Sequence, residues 1–552
     1  MRRNALARAR TLAFACLPYA RSFHVRSMPS AELTFGAPTP SSEKTVIVGR
    51  KTALLSAATK ALLPDGCGQR LWEALVQSVE TGDEGGTATS LYTPSDAAAK
   101  PGAVVAAVLP EPCSRHASPL RPHAVTALVG AGVGASADAS VVAVLDDPTH
   151  AGGVACAVAR AFPRYSFRKP PAEPKPAPAV RVGFATAAAG AIADKGVYSA
   201  CTAAAAGVRL AARIVDTPPA ELTTLAFEAE AREAAARLSA LGREVQCSSI
   251  AGDALREQGY GFIHAVGRAA ECPPALVILS HVPTGAERHT VLVGKGIVYD
   301  TGGLALKGRD GMCGMKADCG GAAALLGAFE SAVAIGTRGE ALHLILCLAE
   351  NAIGPTAVRN DDVIQCFSGK TCEVNNSDAE GRLVLSDGVA HATALPPRLP
   401  GLARHPHLVV DMATLTGAQG VATGKRHGAI VSNFEDVEVA AVAAGKISGD
   451  LVHPLPYAPE FYRKEFKSKV ADMKNSVKDR SNAQSSCAGN FIAEHLHPEY
   501  KGGWLHVDMA GPAFIDDRAT GYGVGLILGL LGVDGFRATD RADGPPAKKP
   551  RA

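Results

Sequence analysis

The segment "NNSDAEGRLVLSDG", residues 375–388, carries three charged side chains at alternate positions, those of Asp378, Glu380 and Arg382. The flanking residues 372–374 and 383–385 are typical of a strand, and in an extended chain alternate side chains share one face. Two carboxylates that converge in this way repel each other, and one arginine cannot neutralise both of them. The pattern predicts a cation site or, as the simpler alternative, an ion pair at a solvated strand end.

A second acidic segment follows a strand rich in Val and Ile. That strand ends in Asp300, while Asp318 precedes an alanine-rich helix. Lys295 and Asp300 are an odd number of positions apart, so an unbroken strand would direct them to opposite faces. We therefore expect the glycines on either side of Lys295 to allow a bulge or twist that brings both to one site. For Asp318, a role at the start of the helix is the alternative.

Four carboxylates thus lie among Gly-rich segments, together with two lysines and one arginine; they belong to Asp300, Asp318, Asp378 and Glu380. Their four negative charges match two divalent cations. Two such ions about 3.5–4 Å apart can share a water molecule, lower its pKa and stabilise a tetrahedral intermediate. A lysine can join the ligands only as the neutral amine, which adjacent dications make possible by lowering its pKa.

Other hydrolase and nucleotide-binding motifs are absent from the sequence. A phosphate-binding loop at "VGKG" would need glycine where His289 stands and Ser or Thr where Gly296 stands. There is no H-E-x-x-H and no G-x-S-x-G. The sequence therefore disfavours P-loop, single-zinc protease and serine hydrolase chemistry.

The blocks "VGKGIVYDTGG…MKADCGGAAALLG" and "NNSDAEGRLVLSDG" resemble the two signature blocks of the leucyl (cytosol) aminopeptidases, which are two-metal exopeptidases. "VRLAARIVDTPPAELT", "CLAENAIGP", "DMATLTGA" and "ADMKNSV" extend the resemblance over about residues 200–530. "VYDTGG", "DMKNSV" and "SSCAGNFIA" are similar to the probable-aminopeptidase-like branch. The resemblance implies a homohexameric enzyme that removes N-terminal residues from peptides.

The resemblance also implies two metal sites, for Zn²⁺ or Mn²⁺. Lys295, Asp300, Asp318 and Glu380 match the ligands of the tighter site. Asp300, Asp378 and Glu380 match those of the exchangeable site, so Asp300 and Glu380 would bridge the two ions.

Two further residues match family positions that act on the substrate. Lys307 matches the lysine that polarises the scissile carbonyl, and Arg382 matches the arginine that holds a bicarbonate acting as general base. For two of the positions that line the substrate cleft, Met315 and Leu415, plain core packing is the alternative. The cleft positions are Met315, Asn376, Thr414 and Leu415.

These residues must be positioned by strands and helices, and the pattern of those elements in the sequence predicts an α/β fold in two domains. Short apolar strands alternate with helices in a smaller N-terminal domain, residues 31–195. Longer strands separated by helices predict a catalytic domain, residues 196–535, with a mixed, mostly parallel central sheet flanked by helices. Charged residues at the carboxyl ends of its strands indicate the ligand crevice. The Pro-rich residues 168–180 are expected near the boundary, outside any helix or central strand.

Composition and charge limit the function classes. With 552 residues, 47% of them apolar and 20% charged, the chain is typical of a soluble globular protein. A net charge of +3 does not favour nucleic acid as a partner. The longest apolar run, near Val524 to Val533, is shorter than the roughly 18–20 residues of a membrane span.

The chain ends and the cysteines bear on the compartment. Residues 1–30 contain six arginines and no acid, which predicts a mitochondrial leader, or an untranslated extension if synthesis starts at Met28; the apolar "TLAFACLPYA" makes a secretory signal the weaker alternative. Thirteen cysteines without a C-x-x-C pair suit reduced thiols. We expect a cytoplasmic protein, or a mitochondrial one if the leader is translated. Residues 536–552 are predicted to be a disordered basic tail.

A non-catalytic oligomeric scaffold or a nucleic-acid-binding relative with the same fold is the main alternative. Its local support is the basic tail. Every ligand-type residue is retained, however, and such charges would be costly to bury once metal no longer compensated them. The sequence therefore favours the enzyme.

Overall fold

The computed structural model describes residues 31–41, 43–96, 98–168 and 177–537. The predicted leader, residues 1–30, and nearly all of the predicted tail lie outside these residues. The first large sheet has the strand order β1-β6-β5-β2-β4-β3, with β7 beside β6. Its strands are β1 Glu32–Phe35, β2 Lys44–Arg50, β3 Gly86–Tyr92, β4 Gly102–Leu109, β5 Asp138–Leu145, β6 Ala179–Thr186 and β7 Gly190–Ala191.

In this first sheet the neighbouring strands β1, β6, β5, β2 and β4 are parallel. Strands β3 and β7, which pair with β4 and β6, are antiparallel to their neighbours. Apolar side chains cover both of its faces, as expected for parallel strands that are buried on both sides. The helices of this part are α1 Lys51–Leu54, α2 Ala57–Lys60, α3 Gln69–Ser78, α4 Pro122–Val133 and α5 Ala151–Arg160.

The second large sheet has the strand order β16-β15-β18-β14-β10-β11-β9-β8. Four of its neighbouring pairs are parallel and three are antiparallel, which confirms the predicted mixed sheet. Two small sheets, β12-β13-β17 and β19-β20, lie beside it. The strands are β8 Gln246–Ala251, β9 Ala275–His281, β10 His289–Asp300, β11 Ala341–Asn351, β12 Val363–Gln365, β13 Thr371–Glu373, β14 Leu408–Ala413, β15 Gly428–Ser432, β16 Val452–Pro454, β17 Met473–Lys474, β18 Gly503–Asp508, β19 Phe514–Ile515 and β20 Arg518–Ala519.

Helices pack on both faces of this sheet. Residues of α6, α7, α11, α14 and α17 form the core on one face, and residues of α9, α12 and α16 form the core on the other. The helices are α6 Lys195–Asp216, α7 Thr224–Ala240, α8 Asp253–Glu257, α9 Gly261–Gly267, α10 Arg309–Met312, α11 Gly320–Ile335, α12 Gly381–Ala392, α13 Gly417–Thr423, α14 Glu435–Ser448, α15 Pro459–Tyr462, α16 Gln484–Ala493 and α17 Val524–Leu531.

The four central strands, β18, β14, β10 and β11, are adjacent and mutually parallel. Their carboxyl ends therefore meet at one edge of the sheet, where Asp508, Asp300 and Asn351 are the last residues of β18, β10 and β11. Strand β10 contains the expected irregularity, but it falls between Ile297 and Asp300 rather than at the glycines beside Lys295. This shift in register allows Lys295 and Asp300 to reach the same crevice.

The predicted strand around Arg382 is wrong. Residues 374–380 form turns and irregular backbone, and helix α12 begins at Gly381 and contains residues 383–385. All twelve residues of this helix are buried, so the segment shows no apolar and polar alternation. A short apolar run of this kind fits a buried helix as well as a buried strand.

The Pro-rich stretch follows its prediction only in part. Residues 169–176 lie outside the described residues, but Ala179 and Val180 begin β6, which lies between β1 and β5. The prediction that the whole stretch avoids central strands is therefore wrong at its end. After the last proline, each residue again supplies the N–H group that a strand requires.

One helical stretch of the described residues, Arg309–Ile335, is long and apolar enough to cross a membrane by length and composition alone. It includes α11, and 83% of its most apolar window is buried inside the protein. Since α11 packs between α6 and the central sheet, its apolar character is that of a core helix.

Candidate metal centre

A cavity of about 1140 Å³ opens at the carboxyl ends of the central strands. The structure brings all eleven residues predicted from the sequence to its wall. They are Lys295, Asp300, Lys307, Met315, Asp318, Asn376, Asp378, Glu380, Arg382, Thr414 and Leu415.

Lys295 on β10 lies between two carboxylates, one from the turn before α11 and one from the start of α12. The Lys295 ammonium lies 2.8 Å from Asp318 Oδ1 and 3.0 Å from Glu380 Oε1. Asp318 belongs to a 3₁₀ turn, Met315–Cys319, which leads directly into α11. The expectation that Asp318 precedes a helix is confirmed, yet its carboxylate points to Lys295 and does not cap the helix.

A second lysine binds the remaining carboxylates. Lys307 Nζ lies 2.8 Å from Asp300 Oδ2 and 2.6 Å from Asp378 Oδ1. Burial by itself lowers the pKa of both lysines, but the surrounding carboxylates outweigh burial and raise it. Each ammonium therefore lies where the acidic groups require positive charge.

The acidic groups nevertheless exceed the lysines that balance them. Carboxylate oxygens of Asp300, Asp318 and Glu380 lie within 4.8 Å of one another, and all three residues are buried. Burial, and then the charge of Asp300, raise the pKa of Glu380 despite Lys295 and Lys307, and burial raises that of Asp318 despite Lys295. Of these groups, Asp318 Oδ2 and Glu380 Oε2 have no hydrogen-bond partner among the described residues.

This donor set fits divalent cations. Buried oxygens without a partner, on carboxylates close enough to share one ion, are the ligands that hard and borderline dications prefer. Four carboxylates exceed the two ammonium groups that contact them by two charges, and with the Arg382 guanidinium counted one negative charge still remains, which a cation can compensate. A dication near Lys295 would also favour its neutral amine, the form that can coordinate a metal.

Arg382 lies at the base of the same cavity, in the first turn of α12. Only 6% of its surface is exposed, and burial lowers the pKa of its guanidinium despite the nearby charge of Glu380. Its Nε and Nη1 atoms are buried without a hydrogen-bond partner among the described residues. A buried cation with free N–H groups can hold a small anion.

The loop that carries Asp378 is held by side chains from two directions. Asn475 donates from Nδ2 to the carbonyls of Asn376 and Ala379, and its Oδ1 accepts from the Asn376 N–H. The Ser377 hydroxyl donates to the Gly302 carbonyl. These bonds fix the loop against the segment that follows β10.

Glycine is required where α12 begins. A Cβ atom at Gly381 would lie 2.6 Å from both Cε and Nζ of Lys295. Any larger residue would displace this lysine from Asp318 and Glu380. Gly381 therefore permits the close approach of α12 to β10 on which the site depends.

Sequence reasoning missed Asn351, which orients a candidate ligand. Its Nδ2 donates to Asp300 Oδ1 at 2.8 Å and to the Ser377 carbonyl at 3.1 Å, and its side chain is 1% exposed. Asn351 ends β11 opposite Asp300 in the parallel pair. The signal available in the sequence was a polar residue closing an apolar strand, as at Asp300.

The four cleft positions all face the cavity, but in different environments. Thr414 is buried and donates from Oγ1 to Asp318 Oδ1 at 2.9 Å. Met315 and Leu415 are half-buried, and Leu415 also packs against the core, so wall and core packing are both present at Leu415. Lining residues that sequence reasoning did not single out include Val421, Arg480, Gln484 and Asp517.

Known proteins share both the fold and the signature segments. Residues 209–528 match the description "Cytosol aminopeptidase family, catalytic domain", and residues 43–170 match "M17 aminopeptidase N-terminal domain 2". The chain is 47% identical over 433 residues to "Probable aminopeptidase NPEPL1" of Mus musculus, which spans 77% of this chain and 79% of that protein.

Solved structures agree with these matches. The leucyl aminopeptidase from Trypanosoma brucei in complex with bestatin has a TM-score of 0.79 and 38% identity, over 90% of this chain and 95% of that chain. The bottromycin maturation enzyme BotP in complex with Mn has a TM-score of 0.71 and 26% identity, over 88% and 98%.

The expected family and fold are confirmed by these comparisons, and the alternative of a non-catalytic scaffold is not favoured. The chain belongs to the cytosol aminopeptidase family and is a metallo-aminopeptidase, a hydrolase of peptides.

Proposed function

We propose that this enzyme removes N-terminal amino acids from peptides with two divalent cations per chain. Lys295, Asp300, Asp318 and Glu380 would hold one ion, and Asp300, Asp378 and Glu380 the other. The main support for this proposal is that oxygens of three buried carboxylates lie within 4.8 Å of one another. Two of these carboxylates also have an oxygen without a hydrogen-bond partner among the described residues. When bound, the two cations would activate a water molecule, polarise the scissile carbonyl and bind the free α-amine of the substrate.

Lys307 supplies a positive charge that would lie beside the reacting carbonyl. In the structure its ammonium binds Asp300 and Asp378, and its side chain is 16% exposed to the cavity. Once cations neutralise these carboxylates, the ammonium can donate a hydrogen bond to the oxygen that becomes negative in the transition state. Preorganised charge of this kind is commonly worth about 3–4 kcal/mol.

Arg382 is proposed to hold a bicarbonate that moves the proton. Its buried Nε and Nη1 atoms lack partners among the described residues and belong to a residue on the cavity wall. A bicarbonate there would accept a proton from the attacking water and return it to the leaving amine. A wild-type rate that is the same in carbonate-free buffer and with added bicarbonate would remove this role.

Zn²⁺ and Mn²⁺ are the proposed ions. The site offers carboxylate oxygens and one amine, a set that accepts several divalent metals, so availability decides between them. The similar structure of BotP is described as a complex with Mn, which supports Mn²⁺ as a first choice for reconstitution. Metal analysis of the purified protein would identify the ion.

A homohexamer in the cytoplasm is the proposed state of the enzyme. The hexamer rests on the family resemblance, and the exposed Leu304, Leu306 and Val421 near the cavity are apolar side chains that an assembly could cover. Among the described residues, the cysteines other than Cys272 are free thiols, which suits a reducing compartment. Light scattering tests the hexamer, and N-terminal sequencing of the mature protein tests whether a mitochondrial leader is made.

Substitution of Glu380 tests the proposed mechanism. Because Glu380 would bridge both ions, Glu380→Gln should lower kcat/KM for an aminoacyl chromophore by at least about 10²-fold, the equivalent of several kcal/mol. The rate is measured with Mn²⁺ added to metal-free protein, and metal content is measured in parallel.

Glu340→Gln is the matched control, because Glu340 pairs with Arg288 outside the cavity. A folded Glu380→Gln protein that cleaves at the wild-type rate would rule out the two-ion mechanism. A wild-type protein with full metal content and no activity would instead favour the scaffold.

A further inference from the structure

Asp508 is a buried carboxylate that none of the roles above uses. It is the last residue of β18, and its exposed fraction is 0%. It is not among the residues of the cavity wall, although Leu415, Thr416 and Ala510 beside it are. A buried carboxylate is costly unless its hydrogen bonds compensate the lost hydration, so its partners indicate what it does.

The donors to Asp508 are uncharged groups of the cavity wall. Its Oδ1 accepts from the backbone N–H groups of Leu415 at 3.1 Å, Ala510 at 3.3 Å and Thr416 at 3.4 Å. Its Oδ2 accepts from the Thr416 hydroxyl at 2.6 Å. The Thr416 oxygen also lies 2.7 Å from the hydroxyl of Ser485 on α16. The Asp508 carboxylate thus bonds two segments of the cavity wall, residues 415–416 and Ala510. The first of these segments is also bonded to α16 through Ser485.

The residue before this segment reaches the candidate metal ligands. Thr414 donates from Oγ1 to Asp318 Oδ1, and its carbonyl accepts from Lys295 Nζ at 3.1 Å. Residues 414–416 therefore connect Asp508 at one end with Asp318 and Lys295 at the other. Four hydrogen bonds link Asp508 to this part of the cavity wall, three of them to Leu415 and Thr416, so Asp508 helps to hold the segment in position.

We propose that Asp508 is a positioning residue of the metal centre. It holds residues 414–416 so that Thr414 orients Asp318 and Lys295 for the cation that they bind. This inference rests on the proposed function. Groups that orient metal ligands typically change metal affinity or activity about 10–100-fold when they are removed. An ordinary core carboxylate would change stability alone.

Asp508→Asn tests the role, with Mn²⁺ affinity as the readout. The amide keeps the size of the side chain but presents an NH₂ group to an N–H or O–H donor, so the segment loses part of its anchor. Calorimetric titration of metal-free protein with Mn²⁺ should show the dissociation constant raised about 10–100-fold. Thr416→Val removes one of the four bonds to Asp508, together with the bonds of the same hydroxyl to Ser485 and to the Gln419 N–H, and should shift the constant in the same direction by less.

Asp387→Asn is the matched control. Asp387 is equally buried and accepts from the backbone N–H groups of Ile263 and Phe367, both at 2.9 Å, but it does not line the cavity. This variant should bind Mn²⁺ as the wild type does. If Asp508→Asn fails to fold, Thr416→Val decides the question.

Two results would overturn the inference in distinguishable ways. Folded Asp508→Asn and Thr416→Val proteins with wild-type Mn²⁺ affinity would overturn it and leave the proposed function standing. A wild-type protein that binds no Mn²⁺ would overturn the proposed function and this inference together.

Discussion

Asp300 shows how single residues build this site. Its carboxylate lies against the Lys307 ammonium, accepts from the Gly302 N–H and accepts from Asn351 Nδ2. The two neutral donors hold Oδ1 and the Lys307 ammonium holds Oδ2, so the carboxylate has the fixed orientation that a metal ligand needs. The sequence identified Asp300 by its type and place, but its orientation depends on a residue from the neighbouring strand.

Asn351→Ala tests this orientation. Without the amide, Asp300 can rotate, so we expect Mn²⁺ affinity to fall about 10–100-fold while the protein stays folded. Titration calorimetry on metal-free protein measures the change. Asn433→Ala is the control, because the Asn433 side chain bonds Gly502 and Trp504 away from the cavity. Equal affinities for Mn²⁺ in the wild type and the Asn351 variant would contradict the orienting role.

At the scale of a single element, helix α12 connects the cavity to the core. Its first turn carries Arg382, and its middle carries the buried Asp387, which accepts from the Ile263 N–H on α9. Burial raises the pKa of Asp387 to about 7. Since an unfolded aspartate titrates near 3.9, the folded protein binds this proton more tightly than the unfolded chain does.

The contribution of Asp387 to stability should therefore fall as pH rises through this range. The contribution of Asp387 is fully present below about pH 4 and is lost as pH rises through about 7, because the folded protein then pays for a buried charge. The amide side chain of the Asp387→Asn variant cannot ionise. The melting temperature of the wild type relative to this variant should decrease from pH 5 to pH 8, as followed by calorimetry in metal-free buffer. Parallel pH profiles of the two proteins would show that Asp387 does not titrate in this range.

At the scale of the whole molecule, buried polar contacts join the parts of the chain that contain the two large sheets. Arg160, at the end of α5, pairs with Asp450 and donates from Nε to the Thr520 carbonyl. Asp450 has no exposed surface and also accepts from the Gly523 N–H. The contact therefore links α5, which follows β5 of the first sheet, to the turn that begins α17.

Arg160→Met should destabilise the protein strongly. Removing one partner leaves the Asp450 carboxylate buried without its cation, which typically costs about 3–5 kcal/mol. The free energy of unfolding in urea measures the loss, and the rate per folded molecule should stay near the wild-type value because the pair lies outside the cavity. Arg404→Met breaks an exposed pair with Glu499 and should cost no more than about 1 kcal/mol. Similar losses in both variants would refute the importance of the buried pair.

The sequence by itself determined the chemistry of the site, because metal ligation depends on residue type and the signature segments are local. Asp300, Asp318, Asp378 and Glu380 were named from such segments, and the structure places all four on one cavity wall. The strand predictions also succeeded where apolar runs were long, as for β10 and β11.

Only the tertiary structure decided how those segments meet. The order β18-β14-β10-β11 brings Asp508 and Asn351 to the same edge as Asp300, and no local periodicity encodes which strands are neighbours. The helical state of residues 383–385 was hidden for a related reason: a segment buried on all sides has no polar face to reveal its period. Supporting residues such as Asn351, Asn475 and Asp508 act through contacts distant in the chain, and these contacts exist only in the folded molecule.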